Sequence, residues 1–316
     1  MPVTVPQFPA GLDSVAGEFG LGRVRDITPV PGHRDVVRLA AERGVFLVRP
    51  AGPADPALYE QVAARLAQAG LRQAMPVRTA AGALVGTSGL VVQEFLPGTA
   101  SLSPTPAQAL STMRHIGAYH SVLATISFPA AEPTLWTRVA EPRYLLAELP
   151  GRRLGDAVLT ALDHLAGALP RIGELPRQLA HGDIGPDNVL MDGDDVVAVI
   201  DFTPVHQPVL FAVATAIYWY QVHGHHDLDA AAIGACLRAA GPWTAAERSA
   251  WPAMLLLPAL QRLATPFAVA AASGADPSAL ADDVRSGNAR PGPAAATIRR
   301  LDAVAAVVRG WPALAA

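Results

Sequence analysis

"LAHGDIGPDNVLMDGDDVVAVIDF", residues 179–202, holds six acidic residues and one His between runs of Ala, Val, Leu and Ile. Only 16% of the 316 residues are charged, so this concentration asks for an explanation. "NVLM" (188–191) and "VVAVI" (196–200) read as short strands, and "DGDD" (192–195) between them is a hairpin turn signal. An antiparallel hairpin brings its outer ends together, which makes Asn188 and Asp201 expected neighbours. Asp183 lies five residues upstream of Asn188, in a short loop that can curl over the same point. Two carboxylates and an amide oxygen converging in this way suit magnesium, which prefers hard oxygen ligands and shares its shell with substrate phosphates. Asp192, Asp194 and Asp195 are assigned instead to an exposed acidic turn.

Upstream, the pattern is mostly β. "VRDITPV" (24–30), "DVVRLAA" (35–41) and "GVFLVRP" (44–50) are β-branched runs separated by the turn signals "PGHR" and "ERG". "DPALYEQVAARLAQAG" (55–70) reads as a helix capped by Asp55, with Pro56 in its first turn and Gly70 as its stop. "ALVGT" and "GLVVQEF" return to strand before "LPGTA" (96–100) breaks the pattern. From residue 104 helical periodicity dominates, at 106–126, 155–169, 208–222, 229–240, 246–264 and 294–308. The expected fold class is α+β, bilobal: a β-rich lobe over 1–97, a hinge near 93–98, and a helical lobe over 98–316 that carries the catalytic hairpin.

Bulk properties narrow the function. The chain is 51% hydrophobic, as packed proteins are, and its net charge of −3 gives no global field for nucleic acid or an anionic membrane. All 24 basic residues are Arg, so any phosphate-binding cation must be Arg. Cys236 is the single cysteine, which rules out an internal disulfide or a Cys-based zinc site and suits a reducing cytoplasm. "MPVTVPQFPAGL" lacks the charged start and apolar run of a signal peptide. The apolar stretch 209–220 is shorter than the ~20 residues that span a bilayer. The expected setting is cytoplasmic, as a monomer or dimer, with no nucleic-acid or membrane partner.

H-G-D-x-x-x-x-N followed thirteen residues later by I-D-F resembles the aminoglycoside phosphotransferase and choline kinase superfamily, which has the protein-kinase-like fold. The resemblance implies an ATP- or GTP-dependent small-molecule O-phosphotransferase, with Asp183 as catalytic base and magnesium held by Asn188 and Asp201. It implies a structural part for His181 and Gly182, and spans about residues 24–220. In the first lobe, "ITPVPGHRDVVRL" resembles the family's glycine-containing loop, with Gly32 as its one glycine. Arg49 stands where the family places its phosphate-contacting cation, and Glu60 where that cation's ion-pair partner sits. "VVQEFLPG" (91–98) resembles the adenine-binding hinge, with Glu94 and Leu96 offering backbone groups. His120 matches a family His, read here as a satisfied core residue.

Two departures bear on the substrate. No Asp or Glu lies between Asp201 and Asp227, where relatives carry an acid that anchors the catalytic loop, so either Gln207 or His206 substitutes or the loop is built differently. Downstream acids are too sparse for the anionic wall that a polycationic aminoglycoside needs. The acceptor is therefore read as an antibiotic, a sugar or an amino alcohol, with a homoserine- or sugar-kinase role as one alternative and a nucleotide-binding pseudokinase as another. "HGHHDLD" (223–229) is read as a helix end and cap before a metal cluster. "YWY" (218–220) is read as core packing before a cage for a quaternary ammonium.

Overall fold

A computed structural model of the chain describes residues 11–30, 35–52, 55–128, 141–149, 154–222, 228–274 and 293–310. The chain divides into two compact units. The first comprises residues 1–99 with 190–192 and 197–202, and the second comprises the remainder.

In the first unit, α1 (Leu12–Glu18) precedes three antiparallel strands, β1 (Val24–Pro29), β2 (Val37–Ala41) and β3 (Gly44–Pro50). Then follow α2 (Pro56–Gln68), β4 (Pro76–Val77) and β5 (Leu90–Glu94), which close a five-stranded antiparallel sheet in the order β1-β2-β3-β5-β4. Alternate residues Val37, Leu39 and Ala41 face inward with Val48, Leu90 and Val92, and Val15, Phe19 and Leu21 pack against them. Asp55 caps α2 by accepting the Ala57 N–H, and Pro56 opens the helix, as its sequence signals. "ALVGT", expected as strand, is not one. Gly82 and Gly89 turn the chain at positive φ, the Gly86 N–H bonds the Leu90 carbonyl, and Glu18 accepts the Thr87 N–H. Local turn bonds thus satisfy the backbone that a sheet ladder would otherwise use.

β6 (Thr99–Ala100) precedes the second unit's first long helix, α3 (Pro106–Leu123), which opens with a capping box between Thr105 and Gln108. Next come α4 (Pro142–Glu148), α5 (Asp156–Gly173), β7 (Arg177–His181) and the hairpin β8 (Val189–Asp192) and β9 (Asp195–Val199). Gly193, at φ +60, makes the tight hairpin turn, and residues 192–195 are exposed, as the acidic-turn reading expected. The turn docks on the α3 start through a 2.8 Å bond from Gln108 Nε2 to the Gly193 carbonyl. β10 (Pro204–Pro208) returns to pair with β7. The rest is helical: α6 (Val209–Ile217), a π-helical turn over Tyr218–Val222, α7 (Ala230–Ala239), α8 (Ala245–Ala272) and α9 (Pro293–Gly310).

The sequence pattern did not separate the π turn from α6, and it ended the 246–264 helix too early. α8 runs for 28 residues through Pro252, Pro258 and Pro266. It is the one helix among the described residues that is long and apolar enough to cross a membrane, and 67% of its most apolar window is buried inside the protein. It packs on α5, α6 and α9, which explains how a thrice-interrupted helix stays continuous. α3 crosses α7 so closely that a Cβ on Gly117 would sit 2.0 Å from the Ala240 carbonyl oxygen. Gly117→Ala is therefore expected to destabilise the fold by about 1–3 kcal/mol, read from the denaturant midpoint.

Candidate active site

The loop after β7 is held from beneath by two buried histidines of the second unit. His120 Nδ1 lies 2.9 Å from the Ile116 carbonyl, and its Nε2 accepts the His181 N–H at 3.3 Å. A carbonyl only accepts and an N–H only donates, so His120 is neutral with its proton on Nδ1. Burial drives its pKa down to about 4. His181 Nδ1 in turn accepts the Asp183 N–H at 3.1 Å. Tyr119 flanks both rings, edge-on to His120 and tilted to His181. The expectation that His120 is a satisfied core residue holds, and its carbonyl also accepts Gln178 Nε2.

The rest of the loop is fixed by backbone. The Gly182 N–H donates to the Thr203 carbonyl at 2.8 Å, just beyond the β7–β10 ladder, where His181 lies opposite Pro204. A Cβ at Gly182 would come within 2.8 Å of Val205, so this crossing requires glycine. Asn188 Nδ2 donates to the Asp183 carbonyl at 2.9 Å, which brings two of the three expected site residues together. That bond orients the buried Asn188 amide, with its oxygen on the other branch. Asp183 itself is exposed. Gln207 is buried within β10 and His206 lies beside it on that strand. Backbone bonds and the histidine pair anchor the loop.

In the first unit, Asp201 follows β9 at φ +52 and is the one non-glycine residue with a left-handed backbone among those described. A conformation that costs energy marks a position held for a reason. Phe202, next along the chain, packs edge-on against Tyr59 with ring centres 5.6 Å apart. The Arg49 guanidinium lies over the same Tyr59 ring at 5.7 Å and hydrogen-bonds its hydroxyl region. Burial raises the Tyr59 pKa first, Arg49 opposes that rise, and the nearby Asp201 carboxylate adds to it. Arg49 and Asp201 thus act on one phenol.

The expected pairing of Arg49 with Glu60 needs correction. Glu60 grips Arg78 instead, at 2.8 and 2.5 Å through both carboxylate oxygens. Arg78, which directly follows β4, offers a bidentate fork, whereas Arg49 lies over the Tyr59 ring. Glu94 side-chain oxygen accepts from Arg72 at 3.1 Å, and Leu96 is buried against Ala74, Leu190 and Ala198. Gly32 and the histidines of 223–227 lie outside the described residues. Sequence reasoning missed Tyr59 altogether. Its neighbour Glu60 was singled out, but no pattern says that an aromatic will bridge a distant Arg and Phe.

The "YWY" segment divides as core packing requires. Tyr218 and Tyr220 are buried, and Trp219 is only partly so. Tyr220 has its pKa pushed up to about 12, mainly by burial, with the Asp187 carboxylate contributing. Arg262 of α8 lies 4.3 Å over the Trp219 ring.

A β-rich unit, a helical unit and a loop–hairpin that carries Asp183, Asn188 and Asp201 together define a protein-kinase-like phosphotransferase architecture. The sequence signature of the phosphotransferase enzyme family matches residues 26–255, and the chain belongs to that family. Solved structures share the fold. An amicoumacin kinase in complex with AMP-PNP and Ca2+ superposes with a TM-score of 0.61 at 15% identity, covering 87% of this chain and 91% of that one. The choline kinase LicA from Streptococcus pneumoniae gives 0.54 at 10% identity, covering 95% and 98%. Curated relatives include a homoserine kinase of Methylobacillus flagellatus, 42% identical over 28% of each chain. Another, from Methylocella silvestris, is 26% identical over 78% of this chain and 81% of its own. The chain spans 28%, 35% and 61% of the lengths of the first three such relatives, less than two thirds in each case.

The histidine pair gives the loop a pH dependence. Above pH 6.5 His120 is neutral in both folded and unfolded chains. Between there and about pH 4 only the unfolded chain takes up the proton, so stability is lost as pH falls through that window. Denaturant melts across it are expected to show a loss of about 1.4 kcal/mol per pH unit from this group. His120→Gln should flatten that part of the slope.

Proposed function

We propose that the protein is a small-molecule kinase that moves the γ-phosphoryl group of ATP or GTP onto an acceptor hydroxyl, with homoserine the first acceptor to test. The observation that carries this reading is the Asp183–Asn188 loop, locked by backbone bonds and a neutral histidine pair beside an exposed carboxylate. Membership of the phosphotransferase enzyme family supports the reaction class, and the names of the curated relatives support homoserine over an antibiotic.

In this reading Asp183 accepts the proton of the acceptor hydroxyl. The hydroxyl oxygen forms a bond to the γ-phosphorus, the bond to the bridging oxygen of the β-phosphate breaks, and the nucleoside diphosphate leaves. Such loose transition states need positioning and charge compensation more than covalent chemistry. Arg49 supplies a fixed cation for phosphate oxygens. Tyr59 holds its guanidinium plane, which a guanidinium needs for a two-pronged grip. The donor set fits magnesium: an amide oxygen at Asn188, whose nitrogen is already engaged, and the carboxylate of Asp201, all hard oxygens. Asp201 is two residues along the chain from Thr203, whose carbonyl holds the Gly182 N–H. Held by the Asn188 amide oxygen and the Asp201 carboxylate, a magnesium ion would supply positive charge against the charge that develops on the phosphate oxygens.

The decisive variant is Asp183→Asn, which keeps size and hydrogen-bonding capacity but removes the base. It is expected to lower kcat by about 10²–10⁴-fold, with nucleotide affinity retained in a calorimetric titration. Undiminished turnover would remove Asp183 from the role of base. Arg49→Met is expected to act differently, weakening nucleotide binding and so raising its KM.

A further inference from the structure

In the second unit, Trp219 stands on the π-helical turn after α6, partly exposed between two buried tyrosines. Its Cδ1 lies 3.8 Å from where a Cβ on Gly185 would be, and Gly185 is two residues from Asp183 on the loop. Asp187 Oδ1 is 2.5 Å from the same point. One wall beside the catalytic loop is therefore the indole edge.

Arg262 covers that indole at 4.3 Å. Among the described residues it takes part in none of the ion pairs, which join Arg38–Asp26, Arg72–Glu94, Arg78–Glu60 and Arg177–Glu141. Stacking of this kind fixes the guanidinium plane and leaves its edge N–H groups for an acceptor. A partly buried guanidinium without a carboxylate carries a desolvation cost that an incoming anion relieves. The chemistry that fits is a carboxylate, taken by two parallel N–H···O bonds.

We propose that Arg262, laid over Trp219 beside the Gly185 turn, binds a carboxylate of the acceptor, so that the enzyme selects hydroxy acids over cationic hydroxyl compounds. This rests on the kinase reading above and adds to it the charge of the substrate. A polycationic aminoglycoside is repelled by the same side chain. Asp187, exposed on the same turn as Gly185, offers a carboxylate to the positive end of a zwitterion, so a short amino acid with a terminal hydroxyl matches both signs.

The test compares L-homoserine with aminopropanol, which keeps its hydroxyl and amine but lacks the carboxylate. Wild-type protein is expected to favour homoserine in kcat/KM. Arg262→Gln should raise the homoserine KM roughly 10- to 100-fold, with a smaller change in kcat and no loss on aminopropanol. Arg262→Lys should recover part of the difference, because it keeps charge but not the fork. An unchanged melting temperature separates these effects from misfolding. A wild-type enzyme that turned over both acceptors equally, or an Arg262→Gln enzyme with an unaltered homoserine KM, would overturn the inference and leave the kinase reading intact. Absence of acceptor-stimulated nucleotide turnover with every hydroxyl compound tried would instead sink the kinase reading, and this inference with it.

Discussion

Two neutral imidazoles linked in series under one loop are the constraint on which the rest depends. His120 can serve only in the tautomer that gives its proton to the Ile116 carbonyl and its lone pair to the His181 N–H. His181 can orient Asp183 only while its own Nδ1 stays unprotonated. Each bond alone is modest, but in a buried place the alternative is an unsatisfied N–H, which costs more than the bond gains. The arrangement leaves Asp183 with a backbone fixed by its neighbours and a side chain still open to solvent.

The first unit solves a matching problem with an aromatic instead of a histidine. Tyr59 takes Phe202 on its edge and Arg49 on its face, and its hydroxyl feels Asp201. Glu60, one residue on, is drawn away to Arg78. Consecutive residues on α2 point about a quarter-turn apart, so one helix presents the phenol to Arg49 and the carboxylate to a different strand's Arg. The exchange is consistent with an all-Arg protein. A guanidinium stacks readily on a ring and keeps its charge, so Arg49 is held by the Tyr59 ring and not by Glu60.

Much of this was legible in the sequence because it is local. The β1–β2–β3 meander, the Asp55–Pro56 start of α2, the helical periodicity of α3 and the acidic hairpin turn are written within short stretches, and each formed within about three residues of its expected place. The H-G-D-x-x-x-x-N spacing gave the loop for the same reason. What could not be read was long-range. β7 and β10 are short, and they pair across more than twenty residues through alternation too brief to see. The Arg49–Tyr59 and Arg262–Trp219 stacks join residues ten and more than forty positions apart with no periodic signature. The replacement of a loop-anchoring acid by backbone bonds left no trace in residue type, because a carbonyl such as that of Thr203 is available at any residue.

The irregular helices say something the regular ones do not. α6 ends in a π turn, and α8 runs past Pro258 and Pro266, each four residues from Arg262. Pro266 lacks the N–H that would bond the Arg262 carbonyl, so the helix is loosened where that side chain departs. Both departures from ideal geometry cost stability, and both fall where Trp219 and Arg262 meet, at the contact between the π turn and α8. Elsewhere in the second unit α3 and α8 open with complete capping boxes at Thr105 and Thr244, while Pro170 lies inside α5 and Pro252 inside α8. In the proposal above, the same contact is where Arg262, stacked on the Trp219 ring beside the Gly185 turn, meets the acceptor's carboxylate.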